Sequence, residues 1–146
     1  TISPYMGEDS MSPFLNYKDK GVFILCLTSN KGSNDFQKCL INNKELYKHV
    51  AEKALQLNIN QNIGLVVGAT NFNELDELKN ISKDLPWLMP GVGAQGGDLK
   101  SSIEIERKGG ISIINVSRDI IYHENGKIED IVRSAKNYTE RIRESL

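Results

Sequence analysis

Cysteine is scarce in this chain: its 146 residues hold two, Cys26 and Cys39. Each stands among apolar or amphipathic neighbours with no second metal-type ligand beside it, which argues against a disulfide framework and a zinc site and suits a reducing cytoplasm. Long apolar runs are missing too. None approaches the roughly 18 to 20 residues that a bilayer-crossing helix needs, so the membrane is not an expected partner. Charge of one sign is likewise lacking: a formal net charge of -1 leaves no basic stripe for a nucleic-acid backbone. The opening Thr1-Ile2-Ser3-Pro4 has no methionine, charged n-region or apolar signal segment. It reads as an internal start, and the expectation is that further sequence precedes it.

The balance of 39% hydrophobic and 25% charged residues is that of a globular domain. Val22-Phe23-Ile24-Leu25-Cys26-Leu27 is a short, nearly continuous apolar run ending in the polar cluster Thr28-Ser29-Asn30, as expected of a strand buried on both faces in a parallel sheet. Residues 63–67, 87–89 and 111–116 repeat the pattern. Helical periodicity fills the intervals. Leu46, Val50, Ala54 and Leu57 predict one helical face, Leu75, Leu78 and Ile81 a second, and 99–108 a further helix. The last helix is predicted over 128–146, with Ile128, Ile131, Val132, Ala135, Tyr138 and Ile142 on one face. Strand and helix alternate throughout, so the fold class is α/β with a parallel sheet. A small doubly wound sheet and part of an eight-stranded barrel of roughly 250 residues both fit this periodicity. In either case the polar signals follow the C-terminal ends of strands, where such folds place their ligands.

Two of these signals suit an anion. Pro90-Gly91-Val92-Gly93-Ala94-Gln95-Gly96-Gly97-Asp98 carries four glycines, which admit positive φ and let main-chain N–H groups approach a ligand closely; a tight turn is the plainer alternative. Its spacing matches neither the dinucleotide fingerprint nor the lysine-bearing nucleotide loop. The next strand ends in Ser117-Arg118-Asp119, where the guanidinium can fork onto phosphate oxygens with the N–H groups of 117 and 118 as further donors. The alternative for Arg118 is a salt bridge to Asp119 or Asp98. Together the two segments match the phosphate position of barrel enzymes, the loops after strands seven and eight.

In order and spacing, Ser3-Pro4-Tyr5-Met6-Gly7, Leu27-Thr28-Ser29-Asn30-Lys31-Gly32, Val67-Gly68-Ala69-Thr70, Pro90 through Asp98 and Asn115-Val116-Ser117-Arg118 resemble the second half of the orotidine 5'-phosphate decarboxylase family. The resemblance is to the bacterial branch, with Thr-Ser-Asn after the fifth strand. It covers essentially the whole chain and implies the C-terminal part of a (β/α)8 barrel, from about the end of strand four through strand eight and the final helix, with the N-terminal half absent.

The same resemblance implies the site. Gln95 would close over the phosphate, Arg118 would pair with the dianion, the Ser117 backbone would donate to it, Ser29 would bond the pyrimidine edge, and Pro90 and Val92 would line the apolar side. Lys31 stands where relatives often have proline, and Ser117 where many have glycine. The family removes CO2 from orotidine 5'-phosphate, giving uridine 5'-phosphate, without metal or organic cofactor. Its chemistry belongs to a lysine flanked by aspartates, and no Asp-x-Lys-x-x-Asp segment occurs here. The chain is therefore expected to bind but not to decarboxylate unaided, and the complete protein to be a homodimer with residues 5–15 and 28–36 near the partner. A non-catalytic half-barrel that binds phosphate, or another phosphate-binding barrel decarboxylase, is the alternative. His49, within a predicted helix, and His123, in a Tyr-His-Glu-Asn-Gly turn, are not expected to be catalytic. Glu8 and Asp9 are expected to cap a short helix starting near Ser10.

Overall fold

The computed structural model describes residues 1–68, 72–93, 99–107 and 111–145. In chain order these form α1 (Glu8–Leu15), β1 (Val22–Leu27), α2 (Ser33–Phe36), β2 (Leu40–Ile41), β3 (Lys44–Glu45), α3 (Leu46–Leu57), β4 (Ile63–Val67), α4 (Phe72–Ser82), β5 (Trp87–Pro90), α5 (Leu99–Glu106), β6 (Ser112–Asn115), α6 (Arg118–Ile121) and α7 (Ile128–Ser145). Short 3-10 turns lie at Pro4–Met6 and Asn58–Asn60. The strands β2 and β3 form a two-residue hairpin turned by Asn42 and Asn43, both at positive φ, a conformation asparagine tolerates better than most residues. No helix among the described residues is long and apolar enough to cross a membrane.

The apolar runs pair as β1-β4-β5-β6, every neighbour parallel. Ile2 extends the series at the β1 edge: its N–H donates to the Phe23 carbonyl at 2.9 Å, and its carbonyl accepts from the Leu25 N–H at 2.9 Å. A doubly wound sheet reverses its strand order at a switch point. Here spatial order follows chain order from Ile2 to β6, as it does around a barrel wall.

The register separates two faces. On one, Ile24, Leu65, Trp87 and Ser112 lie side by side, and the first three are buried beneath the helices together with Cys26, Ile63 and Met89. On the other, Leu25, Val66, Leu88 and Ile113 lie side by side, with Leu25 36% and Ile113 50% exposed. The helices pack in succession, α3 on α4, α4 on α5 and α5 on α7, and none of them closes this second face.

Two helical faces differ from the periodic expectation. In α3 the most buried apolar positions are Tyr47, Ala51 and Ala54, while Leu46 and Val50 are half-buried and line a cavity of about 710 Å³ with Pro4, Tyr5 and Phe36. In α7 the buried residues are Asp130, Ser134 and Tyr138, at i, i+4 and i+8, while Ile128 and Val132 are exposed. The reason is local: Asp119 of α6 partners Ser134 and Tyr138, while Asp130 pairs with Arg133 of α7 itself, so the covered face is set by what packs against it rather than by apolar content. Glu8 and Asp9 lie within the first turn of α1 rather than before it. There they favour the helix electrostatically, and Glu8 also accepts from Lys53 at 2.6 Å.

Candidate functional site

The loop after β1 is held from two sides. The Thr28 N–H donates to Gln37 Oε1 at 2.8 Å, Gln37 Nε2 donates to Thr28 Oγ1 at 2.8 Å, and the Thr28 hydroxyl donates onward to Asn30 Oδ1 at 2.6 Å. From the β4 side Gly68 closes against Ser29: its N–H donates to the Leu27 carbonyl at 2.7 Å, and a Cβ on Gly68 would lie 2.6 Å from the Ser29 nitrogen. Glycine is required because two backbones touch there. Ser29 is half-buried at the C-terminal rim of the sheet.

The segments after β5 and β6 leave that rim as neighbours, because Pro90 and Asn115 are register partners at the two strand ends. Pro90 lies on the open face of the sheet with Leu88, and Val92, two residues on, is 4% exposed and joins the apolar core. Gly91 and Gly93 both have positive φ, at 96° and 82°, so the turn uses the freedom that only glycine offers without strain. Gln95 lies outside the described residues, as does Asp98. Ser117 is the N-cap residue of α6 and Arg118 its first residue, both exposed. The first N–H groups of such a helix have no intrahelical acceptor.

Asp119 does not pair with Arg118. Its Oδ2 accepts from the Tyr138 hydroxyl at 2.6 Å, and its carbonyl accepts from Ser134 Oγ at 3.0 Å. Burial raises the Tyr138 phenol above its ordinary range, and the bond to Asp119 adds to the shift, so the phenol remains a donor at neutral pH. A Cβ on Gly93 would lie 2.6 Å from both Asp119 Oδ2 and the Tyr138 hydroxyl. The glycine turn, the Arg118 segment and α7 thus meet at one point.

The structure accordingly brings Pro90, Val92, Ser117 and Arg118 onto adjoining segments, while Ser29 stands three strands from β6 on the same rim. His49 lies in α3 with its ring nitrogen 3.0 Å from the Ile41 carbonyl, a contact that ties the helix to the β2–β3 hairpin. Sequence reasoning missed Gln37 and the Asp119–Tyr138 pair. Neither has a local signal: the partners are 9 and 19 residues apart and meet only once the helices have packed. No group of three or more His, Cys, Asp or Glu side chains among the described residues is placed to hold a metal ion.

A parallel sheet in chain order, helices on one face, and candidate ligand groups gathered on its C-terminal rim define a section of a β/α-barrel wall. The chain belongs to the orotidine 5'-phosphate decarboxylase / HUMPS family, whose model matches residues 1–130. It is 48% identical over its whole length to the orotidine 5'-phosphate decarboxylase of Dehalococcoides mccartyi, covering 56% of that protein. It is 46% identical to that of Cupriavidus metallidurans, covering 54%. Among solved structures, Leishmania donovani OMP decarboxylase superposes with a TM-score of 0.83 at 41% identity, covering 98% of this chain and 55% of that one. Leishmania donovani UMP synthase superposes with a TM-score of 0.84 at 42% identity, covering 98% and 32% respectively. The chain thus spans about half the length of the decarboxylases it matches.

Proposed function

We propose that the chain is the C-terminal portion of one barrel domain of an orotidine 5'-phosphate decarboxylase, and that it supplies the phosphate- and pyrimidine-binding ends of the site. The observation that carries this reading is the pairing of Pro90 with Asn115, which sets the glycine turn and the Arg118 segment side by side at the rim. Arg118 and the N–H groups at Ser117 and Arg118 form the anion end, and Gln95 closes over it. Ser29 reads the base, and Pro90 and Val92 face the apolar part of the ligand. From β1 to β6 the rim spans about 14 Å at ordinary strand spacing, a separation that suits the two ends of a nucleotide.

Binding at the phosphate end is remote from the carbon that loses CO2. Such contacts accelerate a reaction when their energy drives closure of the site rather than tighter ground-state binding. Arg118 and Gln95 therefore belong to the mechanism without touching the reacting atoms. The lysine and aspartates that do the chemistry lie in the N-terminal half of the barrel, and residues 1–146 alone do not decarboxylate. The complete protein works in the cytoplasm as a homodimer, a reading supported by Tyr5, Met6 and Phe36, large apolar side chains that stand exposed in the segments expected near the partner.

The test is direct: the complete protein converts orotidine 5'-phosphate to uridine 5'-phosphate and CO2, and residues 1–146 on their own do not. Turnover by the isolated chain, or a complete protein that binds uridine 5'-phosphate yet leaves orotidine 5'-phosphate intact, contradicts the reading.

A further inference from the structure

We infer that Asp119 and Tyr138 are positioning residues that lock the Gly93 turn to the segment carrying Ser117 and Arg118. This rests on the reading of those two segments as the phosphate end of the site. Three observations converge on it. Asp119 is covalently next to Arg118, and both its backbone carbonyl and its carboxylate are held by α7, through Ser134 and Tyr138 respectively. Tyr138 is 8% exposed as a residue, so most of its side chain is withdrawn from water around a part-buried bond to Asp119. The carboxylate–phenol pair also occupies the place where a side chain at position 93 would stand, 2.6 Å from its ideal Cβ.

Two consequences follow for an anion at the rim. The first is geometric: Asp119 ties the Arg118 segment to the last helix, and the Gly93 turn packs against the same carboxylate–phenol pair, so the backbones of both segments are set before the ligand arrives. Misplacement by about 1 Å is costly for such groups. The second is electrostatic. A carboxylate adjacent to Arg118 in sequence is a natural competitor for its guanidinium, and the phenol holds that carboxylate in a bond of its own. Arg118 makes no ion pair among the described residues. Besides Asp119, Arg141 of the same helix stands 5.4 Å from the Tyr138 ring centroid. Its charge and hydrogen bonding favour the ionised phenol and so oppose the effect of Asp119, which is the stronger of the two.

The experiment uses the complete protein and compares binding of uridine 5'-phosphate with binding of uridine, alongside thermal unfolding. Tyr138→Phe removes the hydroxyl and keeps the ring; it should weaken the nucleotide about tenfold, as expected when a half-buried carboxylate loses its donor, and leave uridine within about twofold. Gly93→Ala attacks the same junction from the other side and should show the same selectivity. Asp119→Asn keeps an oxygen that can accept from Tyr138 and should retain most of the nucleotide affinity that Asp119→Ala loses. The double variant Tyr138→Phe with Asp119→Ala should be no worse than Asp119→Ala alone, because both remove one interaction. Arg118→Ala is the control. If it loses the nucleotide selectively while Tyr138→Phe and Gly93→Ala weaken both ligands equally or neither, the positioning role is wrong and the phosphate reading stands. If Arg118→Ala itself shows no selectivity, the phosphate reading fails and the inference fails with it.

Discussion

The two faces of the sheet carry the same kind of residue and meet different fates. Ile24, Leu65 and Trp87 are at most 1% exposed beneath the helices, whereas on the other face Leu25 is 36% and Ile113 50% exposed, with Val66 between them buried at 5%. Both rows are largely apolar, with Ser112 the exception on the covered side, so the difference lies less in composition than in what covers each. The helical layer is complete for these strands, because every crossover returns to the same side. The other face is an unfinished interior, matching a chain that spans about half the length of its relatives.

This contrast can be broken by mutation in the complete protein. The largest effect is expected at Trp87, fully buried with its indole N–H donating to Ser82 Oγ at 3.1 Å. Trp87→Ala should lower unfolding free energy by about 3 to 5 kcal/mol, read from denaturant titration. Ile113→Ala is the sharper comparison. It should cost about 2 to 4 kcal/mol if the remaining half of a barrel covers that face, and under about 1 kcal/mol if the face stays open. A small loss at Ile113 would therefore overturn the half-barrel reading while leaving the helical side untouched.

Smaller effects concern the rim. Ser29→Ala should cost about 0.5 to 1.5 kcal/mol against nucleoside and nucleotide alike, since its proposed partner is the base. Gln95→Ala should cost a similar amount against the nucleotide alone. Calorimetry with both ligands distinguishes the two patterns. The smallest perturbation is chemical labelling: Cys39 is exposed and should react with a thiol reagent, whereas Cys26 lies on the helix-covered face. Burial pushes the Cys26 thiol up to about 12, and its sulfur lies 3.2 Å from the Tyr47 carbonyl. It should react only on unfolding, and rapid labelling of Cys26 in the native protein would show that the covered face is not sealed.

Much of this architecture was legible in the sequence. The strands were, because a strand buried in a parallel sheet is a short unbroken apolar run, and β4, buried at every position, is the plainest case. Helix α4 was legible because Leu75 and Leu78 do face the core. Helix α7 was legible as a helix over Ile128–Ser145, but only part of its covered face was: Tyr138 is buried as expected, whereas Ile128 is exposed and Ser134 is buried against α6. Periodicity reports which face could be buried, and long-range packing decides which one is. At the site, the glycine turn and Arg118 were readable as an anion signal from residue chemistry and strand ends. The roles of Ser29, Pro90 and Val92 came from resemblance alone, because a lone serine or an apolar residue at a strand end has no chemistry that names a ligand. The Asp119–Tyr138 contact had no signal, as it joins residues from two elements that only the fold brings together.

The central claim is that this chain presents a phosphate-binding rim with Arg118 as its charged partner. The measurement that tests it most directly is the affinity of the complete protein and its Arg118→Ala variant for uridine 5'-phosphate and for uridine. The account predicts a loss of about 2 to 4 kcal/mol, roughly 30- to 700-fold, for the nucleotide and almost none for the nucleoside. Equal losses for both ligands would contradict it and would make Arg118 a residue that supports the fold rather than the phosphate.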